Sequence, residues 1–195
     1  MQNREYRNME LRIMPTEEGQ EKRYMVEGYA STFEPYVLFS KDGIDYSERI
    51  EPTAFDEADL SDVVFRIDHV GRVYARSSAG TVDVWVDEHG LGQRADLGKT
   101  QKAREIFADI EAGNYPKMSF AFTVGADHYE RDTHTRVIER IAKVFDVSPV
   151  TFPANPNTEL GVSTRDYFDG VIEMEQAERL ERERRKKKIR ILAEV

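Results

Sequence analysis

The sequence has no cysteine, one tryptophan and four histidines in 195 residues. Without cysteine there is no disulfide, no thiolate metal ligand and no cysteine nucleophile, which fits a reducing compartment. No segment approaches the roughly 18 consecutive apolar residues that a membrane-spanning helix requires, so no membrane association is expected. The opening residues, MQNREYRNMELRIMP, hold no continuous apolar stretch and carry both signs of charge, so no secretory signal is expected either. The histidines, His69, His89, His128 and His134, have neither HxxxH nor HxH spacing. No metal site is therefore predicted, and no cofactor is called for.

What is present is charge. Charged residues make up 33% of the chain and hydrophobic residues 39%, the composition of a soluble protein with room for one sizeable core and an appendage. The net charge of -9 argues against a general nucleic-acid binder. It is unevenly spread: residues 184–195, RRKKKIRILAEV, carry +5, which leaves -14 on the first 183 residues. Any nucleic-acid contact is confined to a weak one through this basic tail.

Local patterning predicts a β-rich body. MELRIMP and RYMVEGYASTF read as strands around the polar stretch TEEGQEK. Pro52 followed by Ala54, Phe55, Ala58 and Leu60 suggests a short helix from about Thr53. DVVFRIDHV reads as a strand whose one face is Val63, Phe65, Ile67 and His69. Val82, Val84 and Val86 alternate with Asp83, Trp85 and Asp87 ahead of a turn at DEHG and a return strand LGQRADL, which predicts a hairpin. KTQKAREIFADIEAG is the clearest helix, with Thr100 as N-cap, Ala103, Ile106, Phe107 and Ile110 on one face, and Gly113 as its stop. The strand carrying Ser119 comes after this helix, and HYERDTHTRVIERIAKVFDVSPVTFPANP then reads as a second hairpin, with its tip near RDTHT and its return strand through VFDVSPVTF. Short strands interrupted by helices predict a mainly β fold, a closed and largely antiparallel β-barrel with helices packed outside. From about Val171 the chain is rich in Glu, Arg, Lys, Leu and Ala, with no Gly or Pro, and predicts a charged helical extension. The body is assigned to residues 1–168 and the extension to 169–195. No internal repeat is found.

The chemistry turns on one strand. In KMSFAFTV, Met118, Phe120, Phe122 and Val124 alternate with Ser119, Ala121 and Thr123, so Ser119 lies opposite a bulky apolar row. It is either filler or a nucleophile held on a rigid element. A serine nucleophile needs an imidazole within reach, a group that orients it, and donors for the oxyanion. His89 and His134 fall in predicted turns and His128 lies close to one, whereas His69 ends an apolar strand face. The residues themselves support a β-rich domain with a Ser119–His69 pair and go no further.

The stretch FDVSPVTFPANPNTELGVSTR goes further when taken with EGYASTF, ERIEPTAF, the His69 strand, AGTVDVWVDEHGL and IEAGNYPKMSFAF, in that order. Together these resemble the prohead maturation proteases of tailed bacteriophages, which are similar to the herpesvirus assemblins, over roughly residues 6–166. The resemblance implies a serine endopeptidase that works inside the assembling prohead in the host cytoplasm, removing scaffold or delta-domain segments of the major capsid protein and cleaving itself. It maps the nucleophile to Ser119, the general base to His69, and the orienting acid to Asp146 of FDVSPV. Its oxyanion donors map to the segment after that acid, with Ala154 and Asn155 as the substrate-binding candidates. The chain departs from the family at two points. Asp68-His69-Val70 stands where Asn-His-Asp is usual, and Asp146 replaces a glutamate, so Glu139 and Asp132 stay open as the third member. Asp68 is set aside because adjacent strand residues point to opposite faces.

The tail reads first as a solvated helix with mixed-charge i, i+4 pairs. It also reads as an address that docks on scaffold or capsid protein, with Val171, Met174, Ala177 and Leu180 as an apolar seam suited to a homo-oligomer such as a dimer. The rivals to the protease are an inactive relative that serves as a structural scaffold or capsid-assembly binding module, and an unrelated β-barrel binding module.

Overall fold

The computed structural model describes residues 5–14, 22–151 and 162–193. The chain divides into two compact units, Met1–Leu160 and Gly161–Val195. Among the described residues it is mainly β, with ten strands and two α-helices.

Strands β1 (Glu5–Ile13) and β2 (Met25–Thr32) are the first two strands expected from the sequence and pair antiparallel. Strands β3 (Tyr36–Lys41) and β4 (Ile44–Ile50) form a hairpin that sequence patterning left unassigned. Its turn is Asp42-Gly43, with φ of 54° and 78°. Asp-Gly between β-prone runs is a strong signal for such a two-residue turn.

The expected helix from Thr53 does not form. Residues 52–57 are successive turns with three-residue spacing, Ala54 N–H to Glu51 C=O, Asp56 to Thr53 and Ala58 to Phe55. The remaining backbone groups are drawn outward: Ala54 C=O accepts from Ile141, and Asp59 exchanges bonds with Ala142 and Val144. Backbone groups satisfied by a neighbouring strand are not available for a helical ladder.

Strands β5 (Val64–Ile67) and β6 (Val70–Arg76) form a tight hairpin, followed by the expected hairpin of β7 (Val82–Val86) and β8 (Gly90–Asp96). Helix α1 (Gln101–Glu111) is capped as predicted, with the Thr100 hydroxyl accepting from Ala103 N–H and Gly113 at φ 83° beyond the end. Ala103, Phe107 and Ile110 form its buried face.

Strands β9 (Lys117–Glu130) and β10 (Thr135–Val150) are the longest and pair antiparallel along their length. The sheet runs β3-β4-β10-β9-β1-β2-β8-β7, and β5 joins it through β10. Among the described strands the β10–β4 and β10–β5 pairings are parallel and the others antiparallel, and an isolated parallel bridge joins Asp59 to Lys143. Among the described residues no pairing joins β3 to β7, so the sheet is open where a closed barrel was expected. One side of β10 is shared by two short strands, β4 and then β5, and the outer strands are short and carry charge, which protects an edge without closure.

The core lies on one face of β9, where Met118, Phe120 and Phe122 are fully buried. Phe120 stacks on Phe122 with ring centroids 4.4 Å apart and also contacts Phe55. The opposite face is no solvent face either, since Ser119, Ala121 and Thr123 are at most 1% exposed. Helix α2 (Val162–Ala193) begins ahead of the expected start at 169. Of the proposed seam, Met174 and Leu180 are exposed and Val171 is buried. No helix among the described residues is long and apolar enough to cross a membrane.

Candidate active site

Ser119 sits on β9 directly opposite Ser148 of β10, and Ala121 opposite Asp146. A bulge makes this possible. The register shifts between Val144 and Asp146, so Val144 faces Phe122 in the core while Asp146 and Ser148 turn to the Ser119 face. A β-bulge re-aims the side chain that follows it, and without this one strict alternation would keep Asp146 on the face of Val144.

His69 is not on the strand face expected for it. Strand β5 stops at Ile67, and Asp68-His69 form the two-residue turn between the paired residues Ile67 and Val70. Both have left-handed backbones, with φ of 48° and 57°. Each such residue costs about 1–2 kcal/mol unless its surroundings hold it there. Here Asp68 N–H donates to Pro149 C=O at 3.0 Å, and the Arg66 guanidinium donates to His69 C=O at 3.3 Å. The turn carries the imidazole over the small face of β9.

The three residues meet there. His69 Nδ1 lies 2.6 Å from Asp146 Oδ1, and His69 Nε2 lies 2.8 Å from Ser119 Oγ. An ionised carboxylate only accepts, so Nδ1 carries the proton and Nε2 is left as an acceptor for the serine hydroxyl. The aspartate, although one methylene shorter than the glutamate usual in the resembling family, reaches the imidazole at full hydrogen-bond strength. Asp146 Oδ1 also accepts the Ser148 hydroxyl at 2.7 Å. Side-chain exposure is 2% for Asp146 and 14% for His69, so the pair is shielded and the histidine is the more accessible member.

The other candidates are elsewhere. Glu139 hydrogen-bonds His128, and Asp132 lies in the turn at the opposite end of the β9–β10 hairpin. His134 contacts the Tyr129 hydroxyl, and His89 lies at the β7–β8 turn. Ala154 and Asn155 fall outside the described residues. Asp68 does not address the imidazole, as anticipated, but the reason is its turn conformation rather than strand alternation. Among the described residues no group of three or more His, Asp or Glu side chains is placed so that it could hold a metal ion. Sequence reasoning missed Ser148, although its place two residues beyond Asp146 in DVSPV puts it on the same strand face.

A buried acid, an imidazole and a hydroxyl in hydrogen-bond sequence are the groups that activation of a serine requires. A family model described as caudovirus prohead serine protease matches residues 9–170, and the chain belongs to that family. No curated protein and no solved structure shows significant similarity to it. The family makes this a serine peptidase of phage prohead maturation.

Proposed function

We propose that the protein is a serine endopeptidase in which Ser119 is the nucleophile, His69 the general base and Asp146 the group that orients and charge-balances the imidazole. The observation that carries this reading is the unbroken chain of hydrogen bonds from Asp146 through His69 to Ser119, at 2.6 and 2.8 Å. As Ser119 Oγ attacks a peptide carbonyl, its proton passes to His69 Nε2, and the imidazolium is stabilised by the Asp146 carboxylate. The proton then goes to the leaving amine, the acyl-enzyme remains, and a water activated by the same nitrogen releases it. Ser148 holds the Asp146 carboxylate from behind. Oxyanion donors are assigned by resemblance to backbone N–H groups around Ala154 and Asn155.

Membership of the family supports a reading of the substrates. They are the scaffold or delta-domain segments of the major capsid protein and the protease itself, cut inside the assembling prohead in the host cytoplasm. Co-expression with the cognate capsid protein tests this, with products read by gel and N-terminal sequencing. Wild type is expected to cleave and Ser119→Ala to leave the capsid protein and itself intact. Undiminished processing by Ser119→Ala refutes the assignment.

A further inference from the structure

Asp68, the residue before the proposed base, reaches away from the imidazole to the end of β10. Its carboxylate accepts the Thr151 backbone N–H at 2.8 Å on one oxygen and the Thr151 hydroxyl at 2.7 Å on the other. Its own N–H donates to Pro149 C=O at 3.0 Å. The tip of the β5–β6 hairpin is thereby tied at three points to the end of the strand that carries Asp146. We propose that Asp68 is a positioning residue which, with Thr151, forms a clamp that keeps the His69 imidazole aimed at Ser119 through the reaction. This inference rests on the Ser119–His69–Asp146 reading above.

The hairpin has reason to need one. Strand β5 is four residues long and meets β10 at Asp146–Val64 and Val147–Phe65, so the turn projects beyond its last paired residue. Strand β6 pairs with β5 and with no other described strand. The tip also holds two consecutive left-handed residues, Asp68 and His69, a conformation that persists only where the surroundings over-determine it. Once Ser119 is acylated, its hydroxyl no longer holds Nε2. The clamp involves no reacting atom and outlasts that loss. Because both carboxylate oxygens engage one residue, the contact sets direction as well as distance.

Asp68 and Thr151 are both exposed, so water screens the carboxylate's charge. The clamp therefore acts through shape. Asparagine preserves that shape: its Oδ1 accepts the Thr151 N–H, its Nδ2 donates to the Thr151 hydroxyl, and it tolerates a positive φ. Alanine preserves neither bond.

The test reads the nucleophile directly in the full-length protein. A fluorophosphonate reacts with an activated serine: the Oγ–P bond forms, the P–F bond breaks, fluoride leaves, and the hydroxyl proton passes to His69. The rate of Ser119 modification is followed by mass spectrometry. Asp68→Ala, which removes both bonds to Thr151, is expected to slow labelling about 10- to 100-fold, the scale of a loss of about 1 Å in placement; Thr151→Val, which keeps the backbone N–H bond, is expected to slow it about 5- to 10-fold, while Asp68→Asn and Thr151→Ser stay within about threefold. The double variant is expected to be no slower than Asp68→Ala alone, since alanine already removes both bonds to Thr151. Asp62→Ala removes the ion pair with Arg76 at the base of the same hairpin and is expected to label at the wild-type rate. The downfield Nδ1–H resonance of His69 is expected in wild type and Asp68→Asn and lost to solvent exchange in Asp68→Ala.

Wild-type rates in both Asp68→Ala and Thr151→Val, with Ser119→Ala unlabelled, overturn the clamp and leave the nucleophile assignment standing. A loss in Asp68→Asn as large as in Asp68→Ala also overturns it, in favour of a charge effect. Labelling of Ser119→Ala at the wild-type rate, or none of wild type, overturns the assignment and the clamp with it.

Discussion

Replacing Asp146 by asparagine isolates the charge of the buried acid from its shape. The side chain keeps its volume, the Ser148 hydroxyl can donate to the amide oxygen or accept from the amide nitrogen, and the strand pairing is untouched. What is lost is a negative charge in contact with the imidazole, in a site where Asp146 is 2% exposed and solvent screening is slight. At about 4 Å between charge centres and an effective dielectric of about 20, the attraction to an imidazolium is about 4 kcal/mol. That energy is present when His69 holds the serine proton and nearly absent when it is neutral, so it appears in the barrier as roughly a thousandfold in rate. The amide adds a second loss. Its Nδ2–H can donate to His69 Nδ1, which moves the imidazole proton to Nε2, where it cannot accept from Ser119. The same replacement in a Ser–His–Asp protease costs about 10⁴.

The expected loss for Asp146→Asn is therefore between about 10³ and 10⁴, measured as the rate of fluorophosphonate labelling of Ser119 and as capsid-protein cleavage. The melting temperature is expected to stay near wild type, which separates lost chemistry from lost fold. Glu139→Gln, which removes a charge from a carboxylate bonded to His128 instead, serves as the comparison and is expected to react at the wild-type rate. Labelling of Asp146→Asn within about tenfold of wild type would refute the reasoning, because a charge in contact with the base cannot be worth so little in a shielded site.

Ser148→Ala removes the buried hydroxyl that holds Asp146 Oδ1; activity is expected to fall about tenfold, the scale of about 1–1.5 kcal/mol for one such bond, with little change in melting temperature. Arg136 and Glu48 form an ion pair 5% and 0% exposed, and Arg136→Leu leaves the Glu48 carboxylate without that cation. A destabilisation of about 3 kcal/mol is expected, read from the denaturant midpoint, and an unchanged midpoint refutes it. Asp62 and Asp87 are both held down at about 2, Asp62 first by the Arg76 guanidinium and Asp87 first by the Tyr29 hydroxyl and then the His89 N–H. A carboxyl whose pKa is lower in the folded than in the unfolded chain stabilises the fold above its unfolded pKa, and this is lost as pH falls through the folded one. The melting temperature is thus expected to decline between about pH 4 and pH 2, less steeply in Asp62→Asn and Asp87→Asn; a wild-type slope in both variants counts against it.

Much of the local structure was legible because it is written in short periods. Alternation along 117–124 predicted the strand that holds Ser119, Thr100 and Gly113 bounded α1, and polar turns marked the hairpins at 87–90 and 131–134. Motif resemblance singled out Ser119, His69 and Asp146 without regard to geometry. Local periodicity failed where the backbone leaves it. His69 was assigned to a strand because apolar residues alternate up to Ile67, yet two left-handed residues end the strand and swing the imidazole onto another face. Residues 52–59 have a partial helical pattern, but β10 takes their backbone hydrogen bonds. The Asp42-Gly43 turn, by contrast, was there to be read.

By itself the sequence determined helix α1 and most of the strands, which residues form the apolar face of β9, and the absence of any thiol chemistry. Only the tertiary structure decided that no pairing among the described residues closes the sheet, that a bulge at 145 turns Asp146 out of the core face, and that Ser148 bonds Asp146 while Asp68 bonds Thr151. The reason is distance along the chain. His69 lies 50 residues from Ser119 and 77 from Asp146, so their meeting depends on strand register and turn conformation, which no local pattern of hydrophobicity encodes.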